Sequence, residues 1–172
     1  QNDYQHFSPR TTPEILSADL TQAALFLDCW GAGPDFPLLD PPPAQALAAA
    51  QATLQRIGAT QELALLPTDP RLGASLLRHG SQAAPIIASL ADAPLPPNLT
   101  RHRPPQREVK RLAHLVGDLG PADPGEVVAT AFPEQVAKRV GEDYLLASGT
   151  RARPVSYTHL TLPTTPHLSI DV

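Results

Sequence analysis

The chain predicts a mainly helical fold. Its apolar residues are mostly Ala and Leu, with aromatics at only 5% of 172 residues. Those apolar residues recur at helical spacing, and the 21 prolines fall in clusters that punctuate the chain. Ala and Leu are strong helix formers, and proline clusters mark the turns between helices. The length suffices for one domain or two small ones, each with a buried core.

Residues 1–13 are polar and aperiodic and read as a connector. Thr12-Pro13-Glu14 predicts a helix start, with Thr12 as cap, Pro13 in the first turn and an acid near the positive end. Leu16, Leu20, Ala23, Leu27 and Trp30 then form an apolar stripe, closed by Gly31 and Gly33. Cys29, beside Trp30, is expected to be a buried core thiol. Asp40 ahead of three prolines predicts a second helix running to Ile57, with Leu47, Leu54 and Ile57 on one side and Gly58 as its stop. Asp69-Pro70 repeats the device before Leu76-Leu77. A fourth helix around Ile86, Ile87 and Leu90 ends at Pro94, Pro96 and Pro97.

Residues 94–105 have the composition of a linker. From Gln106, Val109, Leu112, Leu115, Val116 and Leu119 predict another amphipathic helix, whose far face carries Arg107, Lys110, Arg111 and His114. Glu126–Ala131 and Glu134–Arg139 read as two short helices broken at Phe132-Pro133. Tyr144-Leu145-Leu146 reads as a strand closed by Ser148-Gly149.

The formal charge of −4 argues against a surface that binds nucleic acid all round. The charge is uneven, however. Residues 1–100 hold four Lys/Arg against nine Asp/Glu, and residues 101–172 hold nine against eight, so a local basic face is compatible with the acidic whole. The single cysteine excludes an internal disulfide. No apolar run reaches the length of a membrane span and no signal peptide opens the sequence, so a cytoplasmic location without membrane contact is expected. The chain starts at Gln1 and contains no methionine, so its natural start is expected to lie outside this sequence. From Val155 the chain turns rich in Thr, Pro and His; VSYTHLTLPT resembles translated sequencing-adapter DNA, and residues 155–172 are expected not to be native.

Three ordered segments carry a family resemblance: PEILSADLTQAALFLDCWGA at 13–32, LLDPPPAQALAAAQATLQRIGA at 38–59 and LPTDPRLGASLL at 66–77. With AFPEQVAKRVGEDYLLASGTRAR at 131–153, they resemble the post-motor region of HrpB-type ATP-dependent helicases, in the DEAH/RHA group of superfamily 2. The resemblance covers about residues 13–153. It implies a fold that is mainly α. A degenerate winged helix at 14–73 would follow the connector from the second RecA-like lobe, succeeded by a ratchet-like helical bundle at 74–120. Residues 121–153 would begin a small α+β C-terminal region, and 154–172 would be a tail. It also implies that ATP and Mg2+ serve the parent enzyme, and that the partners of this segment are single-stranded RNA or DNA and the RecA-like lobes of the same polypeptide. One departure stands out: where the family inserts a glycine-rich strand and turn as the wing, Gly58-Ala59-Thr60 runs almost directly into Gln61–Leu66. The wing is expected to be short or absent.

A phosphate-cradling loop needs Lys after Gly, and magnesium needs acidic partners. Lys110 follows Val109, Lys138 follows Ala137, and no Asp-Glu pair occurs. No catalytic residue and no cofactor are therefore expected in this segment. Arg101, Arg103, Arg107, Lys110 and Arg111 form the main basic cluster; Lys138 and Arg139, with Arg151 and Arg153, extend the same surface, and charge compensation at a helix C-terminus explains Lys138 and Arg139 equally well. Such a cluster suits the phosphates of a single strand, and a solvated helix face is the equally weighted alternative. No aromatic residue interleaves it, so base stacking is not expected. The histidines lack metal-ligand spacing, and His114 with Asp118 reads as a surface hydrogen-bonded pair. The leading function is thus an accessory segment of a nucleic-acid helicase. A standalone winged-helix regulator and an interaction scaffold are the alternatives.

Overall fold

The computed structural model describes residues 13–32, 36–92, 94–96, 98–99 and 101–153. The cap at Thr12, the predicted terminator Gly33 and the tail from Val155 lie outside the described residues. The chain divides into two compact units, residues 1–55 and 56–172.

In the first unit, the helix predicted from Pro13 is two pieces. One 3-10 turn, Glu14–Leu16, is followed by a break, and α1 spans Thr21–Trp30. The break has a local cause: Asp19 Oδ1 accepts the Thr21 amide at 2.7 Å, so a short polar side chain takes an amide that a continuous helix would use. The restart also moves the buried side. Leu20, Ala24 and Leu25 are buried, while Leu16, Ala23 and Trp30 are exposed and Cys29 is only half-buried. Gly31, at φ +66°, ends α1 with its amide on the Asp28 and Leu27 carbonyls. The three prolines stand just ahead of α2 (Ala44–Arg56), and the Pro43 carbonyl accepts the Leu47 amide at 3.0 Å. Its buried side is Ala50, Thr53 and Leu54, with Leu47 and Ile57 half-buried.

The second unit holds a helical cluster and a small sheet. Between α2 and α3 the described residues contain a 3-10 turn, Gln61–Leu65, and no strand. Helix α3 (Pro70–His79) starts as predicted, with Asp69 Oδ1 accepting the amides of Arg71 and Leu72 at 2.9 and 3.4 Å. Helices α4 (Ala84–Leu90), α5 (Gln106–Ala113) and α6 (Pro124–Ala131) complete the layer, and Asp123 caps α6 through the Glu126 amide at 3.0 Å. Leu72, Leu76, Ile87, Leu112 and Val127 form the core with Ala83, Ala84, Ala88 and Ala131. The small residues let α3 and α6 approach closely enough for Ser75 Oγ to donate to the Val127 carbonyl at 2.6 Å.

Gly80, at φ +72°, turns the chain out of α3. A Cβ there would lie 2.8 Å from the Gly117 carbonyl oxygen and 2.8 Å from the Leu119 nitrogen, so the position requires glycine on both counts.

The helix predicted over 134–139 is not formed. A 3-10 turn at Pro133–Gln135 leads instead into β1 (Ala137–Val140), which pairs antiparallel with β2 (Asp143–Leu146), and β2 pairs with β3 (Arg151–Ala152). Val136 and Val140 favour strand over helix. Gly141-Glu142 makes a two-residue turn with Val140 opposite Asp143 and Gly141 at φ +68°, the kind of hairpin loop a leading glycine permits.

A candidate nucleic-acid interface on helix α5

Helix α5 is short because the chain turns at His114. Its inward side is set by Leu112, 1% exposed, with Val109 and Ala113 packed against the core. Leu119, expected on the same stripe, lies beyond the helix end and is exposed. The outward side is polar by geometry: Arg107, Lys110, Arg111 and His114 recur at three- and four-residue steps and are all exposed. Arg101 and Arg103 precede α5 on a loop that is held back. His102 Nε2 lies 2.8 Å from Asp92 Oδ2, and the Arg101 amide donates to Asn98 Oδ1 at 3.1 Å.

The cations of this face are not equivalent. Arg111 donates through Nε and Nη2 to the two oxygens of Glu108, one turn earlier, at 2.9 and 2.5 Å, and reaches the Pro67 carbonyl at 3.3 Å. That fork-to-fork pair holds the Glu108 carboxyl below its ordinary range and raises the Arg111 guanidinium. Arg111 is therefore a bracket between α5 and the segment ahead of α3, with its charge already matched. Arg103 Nη1 rests on the His102 carbonyl at 3.3 Å. Arg107 and Lys110 make no side-chain hydrogen bond or ion pair among the described residues. On α5 they are the cations left open to an incoming anion.

Lys138 and Arg139 lie on β1, not on a helix, so a helix dipole has no part in their placement. Neighbours on a strand face opposite sides. Register puts Lys138 beside Leu145 and Arg151, and Arg139 beside Tyr144 and Ala152 on the other side. Arg139 Nε closes onto the Gly141 carbonyl at 3.1 Å, and Arg153 is matched by Asp143 at 2.6 Å.

The predicted His114–Asp118 pair is not formed. Asp118 instead accepts from Gln82 Nε2 at 3.1 Å and from the Gly120 amide at 2.9 Å, and the Gly120 and Gln82 bonds lower its pKa. His79 is likewise structural, its Nε2 2.8 Å from Thr130 Oγ1. The composition signal missed the pairing of Arg71 with Glu134 at 2.6 Å and with the Phe132 ring at 5.8 Å, which ties the loop after α6 to α3. Its partners lie 63 residues apart, beyond the reach of spacing arguments. Among the described residues no group of three or more His, Cys, Asp or Glu could hold a metal ion. Lys110 lies on α5 and Lys138 on β1, and both are exposed. No described helix is long and apolar enough to cross a membrane.

The fold matches the crystal structure of the E. coli DExH-box NTPase HrpB with a TM-score of 0.72 and 30% sequence identity, over 87% of this chain. The chain spans 22% of that chain's length. No protein-family model matches the sequence, and no curated protein matches it either.

Proposed function

We propose that this chain is an accessory segment of a HrpB-type ATP-dependent helicase, in which the outward face of α5 guides a single-stranded nucleic acid while motor lobes elsewhere in the polypeptide handle ATP and Mg2+. The observation that carries the reading is the likeness to the E. coli HrpB structure across most of this chain at 30% identity. In this reading residues 14–73 correspond to a winged helix, with the 3-10 turn Gln61–Leu65 in place of the wing, and residues 74–120 to a ratchet domain. Arg107 and Lys110, with Arg101 and Arg103 on the flanking loop, supply phosphate contacts without base readout. Charge alone draws the strand in, and no aromatic residue lies among them to stack a base.

In this reading the segment steers and braces, and it does not hydrolyse. The purified chain is expected to bind labelled oligo-U or oligo-dT of about 20 nucleotides weakly, in preference to blunt duplex, and to turn over no ATP with or without magnesium. Magnesium-dependent ATP hydrolysis by a clean preparation contradicts the reading, as does tighter, sequence-selective binding to duplex DNA.

A further inference from the structure

The first unit carries an apolar surface that the proposed strand contact does not use. Trp30, the sole tryptophan, is 79% exposed at the end of α1, and Phe26, one turn earlier on the same face, is 47% exposed. Phe36 closes on Trp30 edge to face, with ring centroids 6.0 Å apart. Further along the same connection, Leu39 is 98% exposed. Aromatic side chains left this open on a small unit mark an interaction surface.

Charge decides what it fits. Between residues 13 and 55 the chain holds Glu14, Asp19, Asp28, Asp35 and Asp40 and not one Lys or Arg. A negative field over a unit this small repels phosphates, which argues against these rings as a base-stacking platform. A second copy of the same face would set acid against acid, which argues against self-pairing. An apolar segment bearing Lys or Arg satisfies both features: its aliphatic groups cover Phe26 and Leu39, and its cations meet the acidic field and the Trp30 ring face.

We infer that the Phe26–Trp30–Phe36 surface docks a basic, amphipathic protein segment. Nucleic acid is engaged elsewhere, on α5. The inference is independent of the α5 contact, and either can fail alone.

Trp30 reports on its own surroundings, so its emission is the readout. The full chain is titrated with an amphipathic Leu/Lys peptide of about 14 residues, roughly four helical turns, with its Leu/Glu counterpart, and with oligo-dT. The Leu/Lys peptide alone is expected to give a saturable blue shift. Phe26→Ala with Leu39→Ser should weaken that binding by about tenfold or more, whereas Arg107→Glu with Lys110→Glu should leave it unchanged. The inference is overturned if no saturable shift occurs, if the Leu/Glu peptide or oligo-dT gives the same shift in Trp30 emission, or if the Phe26/Leu39 variant binds the Leu/Lys peptide as tightly as the parent. Circular dichroism of that variant secures the last comparison, since the substituted side chains are exposed and the helix content should be retained.

Discussion

Glu108 decides how the basic face of α5 works. By taking both arms of the Arg111 guanidinium it removes one cation from the set a composition count would offer to phosphate. Truncating Arg111 alone would release a carboxylate beside Arg107 and Lys110 and weaken strand binding for the wrong reason. Removing the pair together, Glu108→Ala with Arg111→Ala, keeps the net charge of the face. That double variant is expected to bind oligo-U within about twofold of the parent, while Arg107→Ala or Lys110→Ala each lowers the salt slope by roughly 0.7. Fluorescence anisotropy across a salt series checks both. The same pair costs little in stability, up to about 1 kcal/mol, because it is solvent-exposed.

Carboxyls lowered by their folded partners also set a pH dependence. Glu108, held by Arg111, Asp118, held by the Gly120 amide and Gln82, and Asp143, held by Arg153, all bind protons less readily folded than unfolded. Their contribution to stability is therefore complete above the ordinary carboxylate range, about pH 4, and is lost as pH falls through the lowered folded values. Urea midpoints measured from neutral pH downward should hold steady and then fall below about pH 4. A rise in that range would show that these contacts do not form.

At the scale of elements, local chemistry wrote the starts and stops plainly. Asp69-Pro70 announced a helix that forms with its cap in place, and Gly31 and Gly58 both sit at positive φ where a helix ends. Two elements were misread for reasons that are also local. Asp19 cut the first helix because its carboxylate reaches the Thr21 amide, a competition that apolar periodicity does not register. Residues 134–139 read as a helix, whereas the informative signal was Val-Gly-Glu-Asp at 140–143, a β-branched residue running into a glycine-led hairpin turn. Gly141→Val should therefore strain that turn and cost on the order of 1–2 kcal/mol. Gly80→Ala should cost more, because its Cβ would collide with backbone at 117 and 119 that cannot swing away. Chemical denaturation separates the two, and equal or negligible losses would contradict the turn geometry at Gly80.

At the scale of the molecule, the helical class was legible because Ala, Leu and proline placement speak to it directly. The burial pattern was less so. Trp30 and Leu119 carry apolar periodicity but end up exposed, since each sits at or beyond the end of its helix. The candidate site was legible as a cluster of charges and not as a hierarchy among them: the matching of Arg111 by Glu108 and Pro67, and the split of Lys138 from Arg139 across a sheet, emerge only once the elements exist. The reading as a helicase accessory segment rests on the likeness to the E. coli HrpB structure, and the strand contact proposed for it rests on α5 presenting open cations to a phosphate backbone.

The salt dependence of oligo-U binding by the full chain, compared with the Arg107→Glu/Lys110→Glu variant, tests this claim most directly. Two open cations predict that log Kd rises with log salt with a slope of about 1.4 or more, and that the charge-reversed helix loses at least about tenfold in affinity with its helicity intact. Binding that ignores salt, or a reversed helix that binds as tightly as the parent, would contradict it.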